Sequence, residues 1–261
     1  MNGSEFGAGP SGFRVERLAS VGSSNDEAMR RAREGDAGRL WIVAGEQTGG
    51  RGRQGRVWSS PPGNLYASLL LIDPSAPVRA PELGFVAGVA LCEALRAALG
   101  DDDRLAIKWP NDMLFDGAKL SGMLLEGAVL PDGRFACVIG IGVNCRSHPT
   151  TTPYRATDLA EIGTSLADPA EIFDRLASAL AHWLAIWDEG RGFDAVRGAW
   201  LKSAAGLGAE ISIATPTQRL SGRFETIDAQ GRLVLATSAG PVTVEAGDVF
   251  VTAPARLATG G

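Results

Sequence analysis

The chain has 261 residues, 45% of them hydrophobic, and a formal net charge of -5, with an isoelectric point near 5.2. That length and apolar content support one large domain or two unequal ones. The acidic balance argues against a general nucleic-acid coating role but leaves room for a local anion site.

The opening MNGSEFGAGP has neither the basic nor the apolar region of a signal peptide, and GSEF reads like a cloning scar. Residues 1–10 are therefore set aside as a tail. Ser23-Ser24-Asn25-Asp26-Glu27 starts a helix: Ser24 with Glu27 three residues on fits a capping box, and the helix should stop near Gly35. Residues 41–44 read as a short buried strand and 65–72 (LYASLLLI) as a second. Apolar residues at helical spacing predict a helix over 81–99, ending at Gly100.

Three further strands are expected at 105–109, 119–126 and 135–144, separated by turn-rich pieces at 110–117 and 131–133. Two amphipathic helices follow, over 169–188 and 193–203. Strands and helices do not alternate regularly, which predicts an α+β domain with a mixed or antiparallel sheet. From 206 to 253 come EISIA, RLSGRFETI, RLVLAT, PVTVEA and DVFVT, short β-type segments that read as a small barrel.

Cys92, Cys137 and Cys145 lie in apolar surroundings without C-x-x-C spacing, as buried thiols of a reducing cytoplasm do. His148 and His182 are too far apart and too poorly accompanied for a zinc site. No run of 18 apolar residues occurs, so no membrane span is expected.

Three stretches carry chemistry. GRGRQGR at 50–56 alternates arginine with glycine: glycines let backbone N–H groups approach an anion, and arginine forks grip phosphate or carboxylate oxygens in pairs. It is neither a P-loop nor a dinucleotide fingerprint. KWPNDMLFDGAKLSGMLLEG at 108–127 puts Lys108 and Lys119 at one end of a strand–turn–strand pair, with Asn111 and Asp112 in the turn. VIGIGVN at 138–144 sets Gly140 and Gly142 at period two, so one strand face lacks side chains and leaves room for a flat group. Taken singly, each also fits ordinary surface, turn or packing chemistry.

In this order, EQTGGRGRQGRVWSSPPGNLYASL, KWPNDMLFDGAKLSGMLLE and VIGIGVN resemble the biotin protein ligases, over nearly the whole chain from 15 to 251. SSN at 23–25 looks like the family's S-T-N, and the late GRF, IDAQGRLVL and GDVF pieces match its C-terminal region. The resemblance implies a catalytic domain over 11–203 with the fold shared with class II aminoacyl-tRNA synthetases, and an SH3-like barrel over 204–261. It implies two steps: biotin and MgATP give biotinyl-5'-AMP and pyrophosphate, and a lysine of a biotin carboxyl carrier domain, a part of acetyl-CoA carboxylase, is then biotinylated. Fixed cations on a mobile loop would ease the meeting of two anions, and loop closure would keep water from the anhydride.

The same resemblance assigns Lys119, Arg53, Arg51 and Asp112 to catalysis, with Asp112 steering Arg53 or a magnesium site. Ser23, Ser24, Asn25, Gln47, Gly50, Arg51, Lys119, Gly122 and Gly140 are assigned to biotin. Arg53, Arg56, Trp58, Lys108, Asn111 and Asn144 are assigned to ATP and the adenylate, with magnesium carried by the phosphates. Ser24 stands where the family has threonine, and Gln54 and Val57 replace residues that are often basic there. Few residues precede the first catalytic segment, so the expectation is a monofunctional ligase without the DNA-binding domain of some members. A homodimer formed by edge-to-edge sheet extension is a property of some members. The competing readings are a lipoate–protein ligase of the same fold and a non-catalytic biotin-binding regulator. KWPND, KLSG and the arginine loop favour biotin, and the intact Lys119, Arg51, Arg53 and Arg56 favour an enzyme.

Overall fold

A computed structural model describes residues 5–9, 12–100, 102–163, 167–215 and 217–251. Strands β1 (Glu5–Ala8), β2 (Arg14–Leu18), β3 (Leu40–Ala44), β4 (Leu65–Ile72), β5 (Leu105–Lys108), β6 (Asp112–Phe115), β7 (Ala118–Val129) and β8 (Phe135–Val143) form one sheet. Its order is β1-β2-β3-β4-β8-β7-β6-β5. Only β2 and β3 run parallel, so the sheet is mixed, as the irregular alternation of elements predicted.

Both faces of this sheet are covered, which is why LYASLLLI reads as a continuous apolar run rather than an alternation. On one face helix α1 (Ser24–Arg33) packs Ala28, Met29 and Ala32 over Leu40, Ile42, Leu70 and Val138. On the other, helices α2 (Glu82–Leu99), α4 (Pro169–Trp187) and α5 (Phe193–Lys202) share the main core with Trp41, Leu69 and Ile139, while the short α3 is Leu159–Ile162. No helix among the described residues is long and apolar enough to cross a membrane.

Five antiparallel strands follow in the order β12-β11-β10-β9-β13: β9 (Glu210–Ala214), β10 (Arg219–Ile227), β11 (Leu233–Thr237), β12 (Gly240–Val244) and β13 (Asp248–Val251). They correspond one to one with the five predicted segments and form the SH3-like unit. Ile211, Phe224 and Leu235 of this unit belong to the same core as α2 and α5. Its joint to the large sheet is made at β5, where Ile107 N–H donates to Ser203 O and Ala205 N–H to Ile107 O.

Four local expectations change. Ser23, not Ser24, caps α1, accepting from Asp26 N–H at 3.4 Å, because Ser24 is engaged elsewhere. The turn-rich piece at 110–117 contains β6, so Asp112 sits on a strand and not in a turn. The sheet also includes β2, whose Glu16 is fully buried against Arg31 at 2.5 Å. Finally, residues 5–8, set aside with the tail, pair antiparallel with β2.

Candidate active site

Sheet register builds the floor of a cavity. Ser68, Gly140 and Leu124 lie side by side across β4, β8 and β7, and the next row of the same face is Tyr66, Gly142, Gly122 and Asp112. Ala136 and Val138 of β8 lie under α1, so the two glycines carry this face beyond the helix and leave it open. The cavity above measures about 1300 Å³ and is lined by that floor, the start of α1, the arginine loop, residues 151–155 and β13.

The glycine face is occupied by flat groups, as a face without side chains allows. A Cβ at Gly140 would stand 2.2 Å from Asn25 Oδ1, and one at Gly142 only 2.6 Å from Trp58 Nε1. The Trp58 indole also lies over Gly122. At the start of α1 a neutral network holds the polar groups. Ser24 N–H and Oγ–H both reach Gln47 Oε1, at 2.8 and 2.9 Å. Gln47 Nε2 donates to Ser60 Oγ at 2.9 Å, and buried Ser68 donates to Asn25 Oδ1 at 2.6 Å.

The opposite half is charged. Lys119 Nζ lies 2.6 Å from Asp112 Oδ1 and Lys108 Nζ 3.1 Å from Asp112 Oδ2. The two lysines do converge, but β6 rather than a simple hairpin turn brings them together. Lys119 Nζ also stands 5.4 Å from the Trp58 ring centroid and 5.5 Å from that of Tyr154, a cation between two aromatic faces.

Residues 50–56 close on themselves: Gly52 N–H donates to Arg56 O, Arg56 N–H to Arg53 O, and Trp58 N–H to Gly50 O. Gln54 and Gly55 turn the chain with positive φ of 57° and 72°, which glycine at the second place tolerates. Each arginine then reaches a different element. Arg51 forks onto both Asp26 oxygens at 2.6 Å and touches Glu126 at 3.3 Å. Arg53 reaches Asn111 Oδ1 and Gly247 O, both at 3.4 Å. Arg56 pairs with Asp248 of β13.

These pairings move the carboxyl groups. The hydrogen bond from Arg51 holds Asp26 below its ordinary value of 3.8 against the opposing effect of burial. Burial pushes Asp248 up, but the hydrogen bond and charge of Arg56 outweigh it and leave the group lowered. Burial also raises the Tyr154 hydroxyl, with the Asp112 charge adding to it.

Most of the residues assigned from the sequence line this cavity: Ser23, Ser24, Asn25, Gln47, Arg51, Arg53, Arg56, Trp58, Lys108, Asn111, Asp112, Lys119, Gly122 and Gly140. Three assignments change. Asp112 does not meet Arg53; it holds the two lysines. Asn144 is buried away from the cavity, donating to Thr157 O at 3.0 Å and accepting from Leu159 N–H, so it anchors the returning chain. Gly50 is packed against Ser60 Oγ and Trp58 O, each 2.5 Å from where its Cβ would be, and shapes the loop's root rather than the cavity wall. The sequence reading missed Asp26, Glu126, Ser68, Tyr154 and Asp248. Their only signal was an acidic, aromatic or hydroxyl residue type, and their partners lie far off in the chain.

Residues 26–144 match the biotin/lipoate A/B protein ligase family, and residues 206–251 match the biotin protein ligase C-terminal domain. The biotin acetyl-CoA-carboxylase ligase of Paracoccus denitrificans is 42% identical over 240 residues, covering 89% of this chain and 98% of that protein. The chain belongs to the biotin protein ligase family. A second ligase of the family, from Mycobacterium tuberculosis, is 30% identical over 249 residues, covering 94% of this chain and 91% of its own. Among solved structures, the biotin protein ligase of Aquifex aeolicus in complex with biotin and ATP superposes with a TM-score of 0.77 at 28% identity. That match covers 90% of this chain and 97% of the other.

Proposed function

We propose that this cavity makes biotinyl-5'-AMP and passes the biotinyl group to a lysine of a biotin carboxyl carrier domain. The chain is an ATP-dependent biotin ligase by family, and the division of labour among its residues is inferred from the geometry. The observation that carries it is the meeting of Lys119 and Lys108 on Asp112 at the end of the glycine floor, beneath the arginine loop.

In the first step a biotin carboxylate oxygen attacks the α-phosphorus of ATP. The bond from that phosphorus to the bridging oxygen breaks, and pyrophosphate leaves. Two anions must approach, and negative charge grows on the leaving group. Lys119, Lys108, Arg53 and Arg56 surround the place where this happens with fixed positive charge. The biotin head lies on the neutral half, among Ser24, Asn25, Gln47 and Gly140, and Trp58 faces the adenylate. In the second step the uncharged Nζ of the carrier lysine attacks the acyl carbon. The acyl–oxygen bond breaks, AMP leaves, and the amine's proton passes to solvent.

Asp112 already holds two lysines, and Asp248 holds Arg56. Neither carboxylate fits a magnesium ligand, and magnesium would come with the ATP phosphates. Three free, buried cysteines support a reducing, cytoplasmic setting.

The test is ATP–pyrophosphate exchange with MgATP, run with biotin and separately with lipoate, followed by transfer to a carrier domain. Exchange with biotin is expected. Exchange with lipoate alone would overturn the substrate, and tight biotin binding without exchange would make the protein a sequestering one.

A further inference from the structure

Glu126 lies on β7 beyond the end of β6, opposite Val138 of β8 and on the same sheet face as Gly122 and Leu124. Its Oε2 accepts from Asn25 Nδ2 at 2.7 Å. The other contact of that NH₂ group is Leu124 O, at 3.4 Å. Both partners are acceptors only, one a carboxylate and one a carbonyl.

A side-chain amide can be turned by half a revolution with almost no change of shape. Its neighbours alone decide which edge carries the donor. Here Glu126 and Leu124 demand the NH₂ on their side. The carbonyl oxygen must take the other, where Ser68 Oγ donates to it at 2.6 Å and where Gly140, with no side chain, leaves it space. Asn25 lines the cavity, and its oxygen lies over Gly140, on the floor proposed to take the biotin head. A ureido ring offers two N–H donors, and a carbonyl oxygen with a second lone pair complements one of them.

We infer that Glu126 is a positioning residue for biotin: it locks the Asn25 amide with its oxygen over Gly140 on the cavity floor and so sets the hydrogen-bonding polarity of the biotin-head pocket. This rests on the reading of the Asn25 side of the cavity as the biotin-head site. Glu126 touches Arg51 as well, at 3.3 Å, so a test must separate the two partners.

The experiment measures biotin affinity by calorimetry without ATP, and kcat and KM in biotin-dependent pyrophosphate exchange. The proteins are wild type, Glu126→Gln and Glu126→Ala. Loss of a charged hydrogen-bond partner predicts about a tenfold weaker biotin Kd and higher biotin KM in Glu126→Ala, with a smaller shift in Glu126→Gln. The KM for ATP should not move, and kcat should stay within about twofold of wild type, since the interaction contributes to binding and not to the transition state. The effect should vanish when Asn25→Ala is already present and persist in full when Arg51→Ala is. Wild-type biotin affinity in both Glu126 variants would overturn the inference. So would an effect that survives Asn25→Ala, or one that disappears with Arg51→Ala and thereby belongs to the arginine. If Glu126→Ala does not fold, the isosteric Glu126→Gln carries the same two cycles. Absence of biotin-dependent exchange in the wild type would instead fail the reading of the site itself.

Discussion

The glycine floor and the arginine loop face each other across one cavity and are held by different forces. The floor is fixed by strand register and by neutral hydrogen bonds among Ser24, Asn25, Gln47, Ser60 and Ser68. Each such bond is worth about 1 kcal/mol net, and breaking one strands a buried polar group. The loop is held by partly exposed ion pairs: Arg51 with Asp26 and Glu126, and Arg56 with Asp248. Pairs this exposed contribute about 0–1 kcal/mol each. Binding an anion at the loop is therefore an exchange of one acidic partner for another at little net cost. Ser24, Asn25, Gln47, Ser60 and Ser68 carry no charge of their own to exchange and serve as a template, with Glu126 joining Asn25 to Arg51. The difference would let one cavity be rigid on the side proposed for biotin and adaptable on the side proposed for the phosphates.

The largest expected effect lies on the charged side. Lys119→Ala should lower biotin-dependent pyrophosphate exchange by about 10²–10³-fold while calorimetric biotin affinity stays near wild type. Unchanged exchange would remove Lys119 from the chemistry. Next, Gly140→Ala places a methyl group 2.2 Å from Asn25 Oδ1. Biotin Kd should rise by about tenfold or more, because the template must shift as a whole. A neutral result would mean that the floor is as adaptable as the loop. Third, Arg53→Gly removes the tie to Asn111 and Gly247 O. Biotinyl-AMP should escape faster, by about tenfold, in a release assay with rapid quench; retention as long as wild type would end the loop's role as a latch.

The smallest effect is a pH dependence. Asp248 is lowered in the folded protein from 3.8. A depressed carboxyl contributes stability above its unfolded value and loses it as pH falls through the folded one. The melting difference between wild type and Asp248→Asn should thus be constant from neutral pH down to about 5 and shrink only as pH falls below 3.8. A difference that vanishes by pH 6 would show that Arg56 and Asp248 are not paired in solution.

The sequence made the residue types of the site readable but not their pairings. LYASLLLI and the five late strands were legible because apolar runs and turn residues agree there. β6 was not, because DMLF is only four residues long and sits between Pro110 and Gly117. β2 was hidden by Glu16, whose burial makes sense only once Arg31 of α1 lies against it. Two serines competed for the cap of α1, and Gln47, 23 residues away, decided between them by binding Ser24. Asn144 looked like a ligand group because it ends the glycine strand, yet the return of Thr157 and Leu159 claims it. Long-range partners of this kind leave no local pattern.

The contrast between template and exchangeable loop is tested most directly by hydrogen–deuterium exchange on the free protein and on the protein with biotin and ATP. A large gain in protection is expected for residues 51–57 and a change at 247–249, with residues 138–143 of the floor unchanged. Equal gains in floor and loop, or a loop that does not respond, would contradict it.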